Sequence, residues 1–190
     1  MGGDLGSASI EVHARAVLDF WFTEVPPEKH FARDAALDAE IARRFGAMRD
    51  DVLATDAAGW RGDPDTVLAA IILLDQFSRN IHRDTPEAFA GDRLALALAR
   101  DAITRGWDET IAVARRPFLY MPLMHAEDPA VQRESIACFA RLGNEENLDY
   151  AREHAAVIDR FGRFPSRNAA LGRVSTPAEQ AWLSQPGAGW

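Results

Sequence analysis

Lysine is almost missing from this chain: Lys29 is the single lysine, and every other Lys/Arg position is an arginine. The presence of an arginine therefore carries no information, and only its position can support an argument. Cysteine is as scarce. The lone Cys138 cannot close an intrachain disulfide, which fits a reducing cytoplasm, and its apolar setting in "SIACFARL" reads as an inert core thiol rather than a nucleophile. Long hydrophobic runs are absent. The longest aliphatic stretch, "VLAAIILL" at 67–74, falls far short of the ~20 residues a spanning helix needs, so it reads as a buried helix. The opening "MGGDLGSASI" has neither the basic nor the apolar region of a signal peptide. Positive charge is in deficit: 21 Lys and Arg against 29 Asp and Glu give a net charge of -8. Nucleic acids and anionic membranes both require a broad basic face, so neither is expected as a partner. No phosphate-binding glycine loop, G-x-G-x-x-G, H-E-x-x-H or Cys-x-x-Cys occurs, and the histidines lack metal-site spacing. The expectation is no metal and no cofactor.

What is present is helical. With 190 residues, 47% of them hydrophobic, the chain suits a single domain with a sizeable core. Four times an Asp or Thr precedes a proline, at Asp63-Pro64, Thr85-Pro86, Asp128-Pro129 and Thr176-Pro177, the pattern of an N-cap followed by a proline in the first helical position. Glu179, three residues after Thr176, completes a capping box. Arg61-Gly62, Arg105-Gly106, Arg141 before Gly143 and Arg160 before Gly162 read as helix ends, a cation meeting the carbonyl end of the dipole and a glycine making the turn. Apolar residues recur at helical spacing, as in Leu37, Ile41, Phe45, Met48 and Val52, and no segment alternates with period two. These signs predict helices over 10–23, 34–57, 64–83, 86–105, 117–126, 129–142, 145–161 and 177–184. Residues 1–9 are expected to be disordered and 185–190 to form an extended tail. The fold class is all-α, with short connections making neighbouring helices antiparallel hairpins.

Three polar clusters interrupt this pattern. In "LLDQFSRNIHRD", residues 73–84, Asp75, Gln76, Arg79, Asn80 and Arg83 draw a polar stripe along an otherwise aliphatic helix. An exposed Asp75–Arg79 pair is the ordinary reading, yet Arg79 and Arg83 at the same spacing repel, so a protein carboxylate or an acidic ligand should sit between them. In "RRPFLYMPLMHAED", residues 115–128, His125 ends an apolar helix, and His154 interrupts an apolar stripe further on. Each reads first as a satisfied structural histidine. Third, "IDRFGRFPSRNAALGR", residues 158–173, sets Arg160, Arg163, Arg167 and Arg173 against Asp159 alone. Arg160 has a capping role. The other three exceed what helix ends require, which suits either internal salt bridges or an anion pocket, since guanidinium forks match carboxylate or phosphate.

These stretches in this order, opened by "VLDFWF" at 17–22 and closed by "STPAEQAWL", resemble the bacterial family catalogued as domain of unknown function 924, over about residues 14–186. The resemblance implies an all-helical fold similar to tetratricopeptide repeats, an α-α superhelix, with no established activity. It implies a polar set of Asp75, Gln76, Arg79, Asn80, Arg83, His125, the surroundings of Glu127, His154, Arg160, Arg163, Arg167, Asn168 and Arg173. The family usually carries His where this chain has Ser166 and Glu where it has Val174, which weakens a proton-transfer role here.

The leading expectation is a binding module that holds a small anionic ligand or an acidic peptide end in a cleft lined by Arg79, Asn80, Arg163, Arg167 and Asn168, with Asp75, Gln76, Arg83, His125, His154 and Arg173 around it. One alternative is a hydrolase-like enzyme using His125 or His154 as acid and base. The other is a purely structural arginine cluster that locks the C-terminal segment onto helix 64–83.

Overall fold

The structure, a computed structural model, describes residues 4–187, and no strand occurs among them. The chain divides into two compact units: the first runs up to Arg83 and resumes over Glu87–Pro122, the second takes Asp84–Pro86 and the chain from Leu123 onward. The fold class is the expected one, all-α and built of helix hairpins.

The first unit contains α1 (Asp4–Asp19), which continues as a π-helical turn over Phe20–Glu24, and α2 (Ala35–Ala54). Next come α3 (Pro64–Ile71), a second π-helical stretch over Ile72–Phe77, α4 (Ser78–Ile81) and α5 (Asp92–Thr104). Asp34 caps α2 by accepting from the backbone N–H groups of Ala36 and Leu37. Asp63 caps α3, and Thr66 answers its backbone N–H to close a capping box. α1 packs on α3, α2 on the π stretch and α4, and α3 on α5. Their shared core holds Trp21, Ile41, Leu68, Ile71, Ile72, Leu73, Leu74, Phe77 and Leu98, all fully buried. Phe20, Phe45 and Phe77 meet ring to ring at 5.0–5.9 Å, so the two π-helical stretches touch through aromatic side chains.

Several sequence expectations are corrected here. Of the residues expected to be disordered, 1–3 lie outside the described residues, and α1 begins at Asp4. The helix predicted over 64–83 is interrupted at Ile72–Phe77, where the helix widens and every side chain is buried. Arg61-Gly62 does not end a helix: α2 stops at Ala54, and the chain turns through Asp56 and Ala57, both at positive φ. Thr85-Pro86 opens only a 3-10 turn over Pro86–Phe89, and α5 starts at Asp92. The physical reason lies at Gly91, where a Cβ would come within 2.6 Å of the Leu74 carbonyl oxygen. That close backbone approach sets where α5 begins.

α6 (Arg116–Met124) carries Pro122 inside it, and the boundary between the units falls after that proline. The second unit contains α7 (Pro129–Leu142), α8 (Glu145–Phe161) and α9 (Pro177–Leu183). Asp128-Pro129 and Thr176-Pro177 behave as predicted, Thr176 and Glu179 closing a capping box. α7 and α8 pack as a hairpin joined at Gly143 and Asn144. Gly162, at φ 70°, ends α8 and turns the chain into a hook over 162–176 that leads to α9. Phe164 is buried against Val157 and Ile158, with Phe161 and Trp182 packed on them. Of the tail expected to be extended, 185–187 follow α9 in a turn, and 188–190 lie outside the described residues.

Candidate functional site

The polar residues singled out in the sequence fall into two sets, one in each unit. In the first unit, Asp75, Gln76 and Asn80 are 1%, 7% and 6% exposed, so the stripe on helix 64–83 is buried rather than solvated. Arg79 grips both carboxylate oxygens of Asp92 at 2.8 and 2.9 Å and reaches Asp75 at 3.1 Å. Arg83 grips Asp38 through two of its nitrogens, and Asn80 donates to the same carboxylate at 2.8 Å. Gln76 gives its amide hydrogens to Asp75 and to the sulfur of Met121. The acidic group required between Arg79 and Arg83 is therefore supplied by the protein. Here two guanidinium groups face three carboxylates.

Neither Asp38 nor Asp92 was marked by the sequence. Asp38 sits in the first turn of α2, and Asp92 opens α5, positions that an acidic residue occupies for the helix dipole alone. A buried cation, Arg49, was also missed. Its guanidinium donates to Ser78 Oγ at 2.8 Å, to the Glu87 carbonyl at 2.8 Å and to Asp50 at 2.8 Å.

In the second unit the hook is wired through two carboxylates. Arg173 forks onto Glu127 at 2.7 and 2.9 Å, donates through Nε to Asn168 Oδ1 and also reaches the Phe164 carbonyl. The backbone N–H of Phe164 donates to Glu127 as well. Burial raises the pKa of Glu127, but the Arg173 bonds and the Phe164 N–H outweigh it and leave the carboxyl below its ordinary value. Arg163 forks onto Glu179 at 2.7 and 2.9 Å and donates to the Val174 carbonyl. Glu179 also accepts from the Thr176 N–H and from Asn168. The Arg163 bond first, then the Thr176 N–H, lower its pKa from 4.5 to about 2. Val174 is itself 88% exposed, so only its backbone takes part.

Arg167 lies among these groups differently. It donates to the His125 carbonyl at 3.0 Å and its guanidinium stacks over the Phe164 ring, 4.5 Å from the centroid. Its charge helps lower the pKa of Glu127, but the Arg173 bonds act more strongly there. The His125 and His154 rings stand 6.1 Å apart, and His154 meets Phe164 edge to face at 5.6 Å. His154 Nδ1 lies 2.8 Å from the Tyr150 carbonyl, an acceptor, so Nδ1 carries the hydrogen. Arg160 stands apart, exposed on α8 and stacked over Phe161 at 4.7 Å.

Among the described residues, no group of three or more His, Cys, Asp and Glu is placed to hold a metal ion, and no helix is long and apolar enough to cross a membrane. The profile of a family described as "Bacterial protein of unknown function (DUF924)" matches residues 17–187. The chain belongs to this family. The DUF924 assignment is matched in three dimensions by a protein of unknown function from Agrobacterium tumefaciens, 38% identical with a TM-score of 0.87, the match covering 92% of this chain and 98% of that one. No curated protein matches. The DUF924 match spans both polar sets, and it adds a fold and a family to them without adding a reaction.

Proposed function

We propose that this protein is a helical binding module that takes one anionic group, a carboxylate or a phosphate, at the hook of the second unit, with Arg167 as the charged anchor. The carrying observation is a convergence: Arg163, Arg167 and Arg173 all bond within one short hook, and Arg167 lies over the Phe164 ring beside the His125–His154 pair. A guanidinium that stacks on an aromatic ring keeps its in-plane donors directed outward, the geometry in which it meets a carboxylate or phosphate. Asn168, 1% exposed, and the His125–His154 pair flank it. The arginines of the first unit take a structural role in this reading, because their carboxylates already outnumber them. Binding is preferred to hydrolysis because the chain carries Ser166 at the position where its family usually has His.

The test is a thermal-melt series with phosphate, sulfate, citrate, nucleotides and acidic peptides at constant ionic strength, on the wild type and on Arg167→Met. Binding to the folded state alone raises the melting temperature by mass action. A rise seen in the wild type and abolished in Arg167→Met supports the reading. Flat responses in both proteins, or equal rises, remove it.

A further inference from the structure

Among the described residues, three buried side-chain nitrogen or oxygen atoms have no hydrogen-bond partner within the protein: Trp21 Nε1, Gln132 Oε1 and Ser135 Oγ. Trp21 is packed against the rings of His30, Phe77 and Phe118, an aromatic surrounding. The other two atoms belong to residues of one helix. Gln132 and Ser135 are three residues apart on α7, so they share one face of that helix, and they are 1% and 0% exposed.

The orientation of the Gln132 amide is fixed by chemistry. Its nitrogen lies 2.7 Å from the Met124 carbonyl oxygen and 2.7 Å from the Ala126 carbonyl oxygen, and only the NH2 side can satisfy two acceptors. Oε1 is therefore an acceptor held away from both carbonyls in a region closed to bulk solvent. Ser135 Oγ can donate one hydrogen and accept others. A serine inside a helix often returns its hydroxyl to the carbonyl four residues earlier, and here it does not. Buried polar atoms left without a partner are rare because each forfeits its hydration.

We infer that a single buried water molecule occupies this face of α7, donating to Gln132 Oε1 and bonded to Ser135 Oγ. Water is the class of ligand that fits, because both atoms are closed to solvent and the occupant must donate to one while pairing with a hydroxyl. The site backs up the carboxamide that holds the carbonyls on either side of His125. The carbonyl of His125 in turn accepts from Arg167. The inference stands on α7 alone and does not depend on what the hook binds.

Two measurements test it. A crystal structure that resolves ordered solvent should show a density peak within about 3.2 Å of both atoms. A map with no peak there overturns the inference, whatever the variant does. In the second, Ser135→Ala should lower the melting temperature by about 2–4 °C, the shift expected for losing one modest hydrogen bond in a chain of this size. A dry site predicts the reverse, since removing an unpartnered hydroxyl relieves the fold, and an unchanged or raised melting temperature overturns the inference.

Discussion

The two units use the same chemistry, arginine forked onto carboxylate, to brace helices in the first and a hook in the second. In the first, Arg79 and Arg83 are held by Asp75, Asp92 and Asp38, and Asp75 is 1% exposed. In the second, Arg163, Arg167 and Arg173 share Glu127 and Glu179. Excess carboxylate in the first unit means that its cations are saturated and its charges serve packing. In the second, the forks of Arg163 and Arg173 brace the hook, and Arg167 lies over the Phe164 ring and bonds the His125 carbonyl. The difference teaches that a cluster of arginines is informative only once its partners are counted.

The largest expected effect belongs to the first unit. Asp75→Ala deletes a buried carboxylate and leaves Arg79 and the Gln76 amide facing it without that partner. Breaking such a buried pair costs about 3–5 kcal/mol, because the stranded charge keeps its desolvation penalty. Denaturant melts read the loss directly. A loss under about 1 kcal/mol would mean that Asp92 alone satisfies Arg79, and the saturated picture of the first unit would fail.

Arg173→Met comes next. Arg173 ties Glu127, Asn168 and Phe164 together, and its side chain is 22% exposed. Hydrogen bonds to charged partners contribute roughly 1.5–3 kcal/mol, so a loss of about 2 kcal/mol is expected. Hydrogen exchange should quicken first in the hook, since the lost bonds are made there. Unchanged exchange across 162–176 would show that the hook is held by Phe164 packing alone.

Acid should act on the hook in a defined window. Glu179 has an ordinary pKa of 4.5 and a folded value of about 2. A carboxyl with a depressed folded pKa contributes stability that is fully present above 4.5 and is lost as pH falls through about 2. Trp182, packed on Phe161 at 5.8 Å, reports on α9 by its fluorescence. The expected result is a Trp182 transition between those two pH values that is absent from Glu179→Gln, whose side chain cannot ionise. An identical acid transition in the variant would place the titrating group elsewhere.

The comparison also explains what the sequence made legible. Caps are local, so Asp63-Pro64, Asp128-Pro129 and Thr176-Pro177 announced α3, α7 and α9 within a residue. Thr85-Pro86 carries the same signal and opens only a 3-10 turn, because the start of α5 is fixed by Gly91 lying against Leu74, a contact between distant residues. The π-helical stretch at Ile72–Phe77 was invisible because every residue in it is buried, and an unbroken buried segment has no face to change. Partner choice was the hardest to read. Arg83 finds Asp38 forty-five residues earlier, and Arg173 finds Glu127 forty-six residues earlier, distances over which no periodicity speaks. Glu179 was legible as a helix cap; its second role as the partner of Arg163 was not.

The smallest expected effect decides the most. Arg167 donates to the His125 carbonyl and lies over the Phe164 ring, and its pull on Glu127 is weaker than the Arg173 bonds. If Arg167 is the anchor for an outside anion, its own part in stability is small, about 0.5–1 kcal/mol, below the loss expected for Arg173→Met. In buffer without polyvalent anions, Arg167→Met should therefore melt close to the wild type. The gap between the two proteins should then widen as phosphate or citrate is added, because only the wild type gains from the ligand. Should Arg167→Met instead cost as much as Arg173→Met, with a gap that stays constant across anion concentrations, Arg167 is a strut like its neighbours. The hook would then be closed by the protein's own groups, and the arginines of both units would serve the fold alone.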